Sequence, residues 1–173
     1  MEVRIRQENK DDHEAVFEVN RLAFGRECEA ELVDLLRYSS AFIPELSLVA
    51  ALDNKIIGHI LFTKIMIISE NGEETRSLAL APMAVAPEFQ HRGIGGKLIK
   101  NGLQMAKKLH HRSVIVLGHE RYYPKFGFVP AHKWNIRCPY DVPENVFMAL
   151  ELAPDGLRDV SGRVVYPKEF ESV

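Results

Sequence analysis

The sequence predicts an α/β fold, and three stretches predict it. Residues 77–85, SLALAPMAV, are apolar on both faces. A strand of that kind is covered from both sides, as in the middle of an α/β sheet. From Gly93 to about His110, the residues Ile94, Leu98, Gly102, Met105 and Leu109 recur at steps of three or four. Ile99, Leu103 and Ala106 widen that stripe, and Lys97, Lys100, Gln104, Lys107 and Lys108 fall opposite, which makes an amphipathic helix. Residues 113–118, SVIVLG, read as a second buried strand.

The remaining elements follow in chain order. Val3 to Arg6 alternates like a short strand. Asp11 and Glu14 have capping-box spacing, and Val16, Val19 and Ala23 then fall at helical steps with Phe17 and Phe24 alongside. A second helix is expected over about Glu29 to Tyr38, with Leu32, Leu35 and Leu36 inward. Residues 47–52 and 56–68 are strand-like, joined by a hairpin turn at Asp53-Asn54-Lys55. Asn71-Gly72 marks the next turn. Pro82 lacks a backbone donor, so a bulge or a break in pairing is expected there. After the second buried strand come a short helix around Tyr122 to Phe126 and strands near residues 128–131 and 146–152. In the tail, residues 154–173, Asp155-Gly156 and Ser161-Gly162 read as turns, and residues 163–166, RVVY, as a last short strand.

Composition narrows the function classes. With 173 residues the chain suffices for one domain with a sizeable core. Apolar residues make up 46% and charged residues 27%, ordinary for a globular protein. A net charge of −2 and a pI near 6.4 argue against a general nucleic-acid binder, so any anion site must be local. Cys28 and Cys138 form no metal or disulfide pattern, which fits a reduced, cytoplasmic setting with no metal. The first residues are too charged for a secretory signal, and no apolar run approaches the roughly 18 residues of a membrane span.

The stretch most informative about function is residues 83–99, MAVAPEFQHRGIGGKLI. A buried strand ends near Val85, a short polar loop follows, and Gly93 opens a helix. The first N–H groups of a helix have no internal partner, and its dipole places partial positive charge there. Strand, glycine-rich turn and helix start together make an anion site. His91, Arg92 and Lys97 add local positive charge. Two familiar phosphate motifs fail here. A P-loop would need glycine at His91 and Ser or Thr at Leu98, and a dinucleotide fingerprint would need glycine at Leu98. The pattern Q/R-x-x-G-x-G/A is met at every position by Gln90-His91-Arg92-Gly93-Ile94-Gly95. An ordinary tight turn feeding a helix is the competing account. Three glycines beside His and Arg weigh against it, since glycine within a helix costs up to about 1 kcal/mol.

Here the chain resembles the GNAT superfamily of N-acetyltransferases, whose acetyl-CoA diphosphate site has that hexad. The context agrees: an apolar strand before it, an amphipathic helix after it, then a buried strand and residues 122–128, YYPKFGF. Tyr123, Gly127 and Phe128 match the family's Y-x-x-x-G-F element. The resemblance covers roughly residues 3–150, and the tail resembles the C-terminal extension of one bacterial and archaeal subgroup. It implies a single N-acetyltransferase-like domain over residues 1–173, with a core of about 3–150 and an extension of about 151–173. It also implies a mixed central sheet of about six or seven strands with helices on both faces, and a splayed strand pair forming an acyl-CoA groove.

The resemblance further implies acetyl-CoA or coenzyme A as cosubstrate, anchored by the backbone of Gln90, His91, Arg92, Gly93, Ile94, Gly95, Gly96 and Lys97. The pantetheine arm is expected beside Met83, Ala84 and Val85, where a backbone N–H can serve the oxyanion. Tyr123 takes the family's tyrosine position as general acid, its phenol pKa of about 10 matching a thiol near 8.5. Tyr122 reads as its packing neighbour. The base is not legible; Glu120 and His119 are the best-placed residues, against an account in which both are merely solvated. Many members carry an asparagine in this loop, and this sequence does not. The implied reaction is direct attack by a primary amine, on a small molecule or a peptide, in a ternary complex. A homodimer is the family habit. The rival readings are a non-catalytic acyl-CoA sensor and a structural protein that has lost the cofactor.

Overall fold

A computed structural model describes residues 2–173. The elements are β1 (Arg4–Gln7), α1 (His13–Phe24), α2 (Cys28–Arg37), β2 (Phe42–Leu52), β3 (Lys55–Ile68), β4 (Glu74–Val85), α3 (Ile94–Lys108), β5 (Ser113–Leu117), β6 (Val129–Pro130), β7 (Ile136–Arg137), β8 (Phe147–Glu151) and β9 (Gly162–Val165). They form one mixed sheet in the order β1-β2-β3-β4-β5-β8-β6, with β9 pairing both β3 and β7. Pairs β4–β5 and β7–β9 are parallel. The described residues give nine strands where the sequence predicted six or seven. β6 and β7 have two residues each, too few to leave an alternating pattern.

The chain divides into two units. The first runs to Thr63, takes in Ala81–Met105 and ends with Lys168–Val173; the second comprises Lys64–Leu80 and Ala106–Pro167. In the first, β3 presents alternate residues to opposite helices, as period two demands. Leu61 joins Val16, Val19, Leu32, Val33 and Leu36 of α1 and α2 in one apolar cluster, with Phe170 of the tail packed against it. On the other side Phe62 lies where a Cβ on Gly102 of α3 would stand. Helices therefore cover both faces of this strand.

The same unit buries a polar network. Arg37 donates to Glu8 at 2.8 and 3.0 Å, and both side chains are under one-tenth exposed. Burial works against the Glu8 carboxylate, but the hydrogen bond from Arg37 and the neighbouring charges outweigh it and leave the pKa lowered. His59 is fully buried, with Nε2 3.0 Å from Ser47 Oγ and Nδ1 3.3 Å from Asn20 Nδ2. Asn20 Nδ2 also donates to the Val16 carbonyl, so His59 Nδ1 accepts and the ring proton sits on Nε2. Burial first, opposed by the Glu8 charge and aided by Arg37, pushes this imidazole down to about 4.

The second unit has its own apolar cluster, built from Ile67, Ala79, Ile115, Phe147, Ala149 and Val164, with Trp134 packed against it. Ser77 and Ser113 satisfy each other's buried hydroxyls at 2.7 Å. β5 pairs with β8 along all five of its residues but with β4 only at Leu78–Val114 and Ala79–Ile115. The ladder to β5 thus ends before Pro82, whereas β4 itself continues to Val85 through a cis Ala81–Pro82 peptide.

Some expectations are corrected. The capping box uses Asn9 and Asp12, two residues earlier than Asp11 and Glu14, because a 3-10 turn at Lys10–Asp12 precedes α1. Leu35 is 48% exposed, and Ala30 and Val33 fill the inward stripe of α2 instead. The helix near Tyr122 is a 3-10 turn over Tyr123–Phe126. Gly162 opens β9, with its N–H donating to the Asn135 carbonyl. The hairpin turn holds as predicted: Asp53 and Asn54 both have positive φ, which matches the right-handed twist of the flanking strands.

Candidate active site

The first unit carries the glycine-rich turn. β4 leads into it with Pro82, Ala84 and Ala86 buried and with Ala81, Met83 and Val85 half-exposed, so one face of the strand stays partly open. A 3-10 turn at Pro87–Phe89 follows. Gln90 then folds back, its Nε2 donating to the Val85 carbonyl at 2.9 Å, which ties the turn to the strand. His91 and Gly93 both take positive φ, 64° and 80°. Nothing lies within 4 Å of a Cβ built on Gly93, so glycine is needed there for its backbone angle and not for space. Helix α3 starts at Ile94, whose buried side chain anchors it, and its first bond runs from Lys97 N to Gly93 O at 3.1 Å.

Among the described residues, the Arg92 N–H closes the hydrogen-bonded turn at Gln90–His91, while those of His91, Gly93, Ile94, Gly95 and Gly96 make no close hydrogen bond to the protein. His91, Arg92, Gly93 and Lys97 are exposed, and Gly95 and Gly96 are half-exposed. A run of main-chain donors, two positive-φ residues and a helix dipole at one place suit an anion of more than one charge. Arg92 also lies over the Phe89 ring at 5.6 Å, and Lys55 over the same ring at 5.4 Å. A cavity of about 580 Å³ adjoins the turn, lined by Leu52, Ile57, Phe89, Arg92, Ile94 and Lys97 among others.

The second unit carries the tyrosine turn. Tyr122 N and Tyr123 N both donate to the His119 carbonyl, at 3.1 and 3.4 Å. The Tyr123 ring is buried, edge-on to Tyr122 and Phe128 at 5.2 and 5.7 Å. Its hydroxyl has no hydrogen bond among the described residues. Burial, with a smaller push from Tyr122, raises this phenol to about 12, so it stays protonated as a donor. Glu120 is half-exposed, with its carboxylate 3.9 Å from His119 Nδ1. That nitrogen already accepts from Arg121 N at 3.2 Å, which leaves the neutral ring's proton on Nε2 and takes away the lone pair a base would use. Of the two candidate bases, Glu120 keeps a free acceptor. Neither of two cavities in this unit, of about 550 and 140 Å³, includes Tyr123 in its lining.

Against this geometry, residues 10–128 match the family model for the acetyltransferase (GNAT) family. The chain belongs to the GNAT family. It is 40% identical over 137 residues to the uncharacterized N-acetyltransferase YjhQ of Escherichia coli, covering 79% of this chain and 75% of that one. Among solved structures it is similar to the GNAT enzyme YhbS of E. coli in complex with CoA, with a TM-score of 0.89, 29% identity and coverage of 98% and 92%. It is also similar to a GNAT acetyltransferase of Brucella melitensis in complex with acetyl-CoA, with a TM-score of 0.79, 33% identity and 98% coverage of each chain.

For a GNAT chain, the structure brings Met83, Ala84, Val85 and Gln90 through Lys97 into one continuous strand and turn, and Glu120 and Tyr123 into another turn. Two features escaped the sequence reading. The Gln90 side chain acts as a structural tie, beyond its place in the hexad. Gly118 packs directly under Tyr123, and a glycine closing a buried strand five residues before the tyrosine was the only signal for it. No helix among the described residues is long and apolar enough to cross a membrane. Both cysteines are free.

Proposed function

We propose that this GNAT chain transfers the acetyl group of acetyl-CoA to a primary amine in a ternary complex. The observation that carries the reading is the run of main-chain N–H groups at His91–Gly96, of which His91, Gly93, Ile94, Gly95 and Gly96 make no close hydrogen bond to the protein. Such a run fits a diphosphate, and Arg92 and Lys97 add charge that can screen it. The ladder from β5 stops at Ala79, so the β4 main chain around Met83 and Val85 can pair with an extended amide-bearing arm, and the short ladder supports a splayed groove. The crystal structures of the E. coli and Brucella relatives, which hold CoA and acetyl-CoA, support the same ligand.

When bound, acetyl-CoA supplies a thioester whose C–S bond breaks as the amine nitrogen bonds to the carbonyl carbon. An N–H near Met83 or Ala84 steadies the carbonyl oxygen as it gains charge. Tyr123 gives its proton to the departing sulfur, and Glu120 or water takes the proton the amine sheds. The chain works as one catalytic domain, with a core of about 3–150 and an extension of about 151–173; β3, β4 and α3 each run through both units and support this. The acceptor is a small-molecule or peptide amine. The setting is cytoplasmic, supported by two unpaired thiols, and a homodimer follows family habit.

Acetyl-CoA titrated into the protein should raise its thermal midpoint by mass action, and adding an amine panel should release free thiol. A flat midpoint sinks the binding reading. A rising midpoint with no thiol release from any amine leaves an acyl-CoA sensor in its place.

A further inference from the structure

Gly118 follows the last residue of β5, and its N–H donates to the Val146 carbonyl at 2.9 Å. Its φ is not among the positive ones, so an alanine could adopt this backbone. Space is what excludes it. A Cβ built on Gly118 would fall 2.3 Å from Cε2, 2.9 Å from Cδ2 and 3.3 Å from Cζ of Tyr123. Cζ carries the hydroxyl and Cε2 adjoins it, so the two closest approaches lie along one edge of the ring that runs up to the hydroxyl end. Tyr122 and Phe128 hold the ring edge-on, at interplanar angles of 83° and 77°. The hydroxyl itself has no hydrogen bond among the described residues, so packing alone determines where it stands.

We propose that Gly118 is a positioning residue for acyl transfer: the missing Cβ seats the Tyr123 ring against the backbone at the end of β5 and so fixes its hydroxyl. This rests on the reading of Tyr123 as proton donor. A methyl at 118 must push the ring out or tilt it, because the backbone beneath is pinned to Val146. Ligand anchoring by main-chain donors at residues 91–96 has no part in that contact.

The test is a double-mutant cycle on the full chain with G118A, Y123F and the pair, using acetyl-CoA and a responsive amine. G118A should lower kcat about tenfold or more, with KM for acetyl-CoA within about threefold and the acetyl-CoA thermal shift retained. In the Y123F background the same change should cost less than about twofold, because the group it displaces is gone. Penalties that multiply, or a G118A enzyme as fast as the parent, would overturn the proposal. If G118A does not fold, F128L takes its place in the same cycle. Its loss of the edge contact should lower kcat in the parent and not in Y123F, and a drop that persists without the phenol counts against positioning. Should Y123F alone keep full turnover, it is the proton-donor reading that fails.

Discussion

The turn at residues 90–97 and the turn at residues 118–128 use different materials. The first offers main-chain N–H groups, shaped by Gly93 and His91 at positive φ and tied down by Gln90. The second offers one hydroxyl on one side chain, steered by a ring that packs against Gly118, Tyr122 and Phe128. Main-chain donors survive most side-chain exchanges, provided the backbone angles persist. A lone hydroxyl depends on every neighbour that sets its ring. If these turns act as proposed, anchoring should tolerate substitution where the Tyr123 hydroxyl does not, and four measurements can break or sharpen that contrast.

The largest effect should come from placing a charge among the donors. Gly96→Asp brings a carboxylate beside the site for a diphosphate, and like charges about 4 Å apart repel by about 4 kcal/mol at an effective dielectric of 20. That corresponds to roughly a thousandfold weaker acetyl-CoA binding by calorimetry. Binding within about tenfold of the parent would show that the donors at 91–96 are not the anchor.

Acid should act next, and on the first unit. Between pH 6.5 and about 4 an unfolded His59 takes up a proton that the folded, buried ring refuses. Stability is thus lost as pH falls through that window, by about 3 kcal/mol for such a depression. Glu8, held below its ordinary value, contributes stability above that value that is lost at still lower pH. Tyr123, near 12, stays protonated throughout. His59→Gln should flatten the pH 6.5–4 slope in chemical denaturation, and an unchanged slope would remove His59 as its source.

Tyr123→Phe should then lower kcat by about ten- to a hundredfold, or up to about 3 kcal/mol, with KM for acetyl-CoA nearly constant. Weakest of all should be Arg92→Ala and Lys97→Ala. Both are exposed charges, worth about 0.2–1 kcal/mol each, so KM for acetyl-CoA should rise only a few-fold. If either matched the Gly96→Asp loss, the anchor would be side-chain charge and the contrast would fail.

The same difference explains what could be read in the sequence. Donors built from backbone leave a glycine pattern, so Gln90-x-x-Gly93-x-Gly95 was legible, as were the two-sided burial of Ser77–Leu80 and the stripe of α3. Tyr123 was singled out by its motif, but the packing around its ring was not legible. The contact of Gly118 with that ring depends on how the 3-10 turn winds, which no hydrophobic period encodes. The His59 network was equally hidden. Glu8, Asn20, Arg37, Ser47 and His59 come from five separate segments, and a histidine amid apolar strand residues does not announce its partners. Leu35 misled because helical steps of three and four admit more apolar positions than a short helix can bury.

Phe170 packs against the cluster formed by α1, α2 and the adjoining strands, so residues 168–173 complete a unit begun more than a hundred residues earlier. During synthesis, that cluster must wait for residue 170 to leave the ribosome, holding part of its apolar surface uncovered until then. Deleting residues 168–173 would leave that surface open and strip the helix pair of a cover that arrives last.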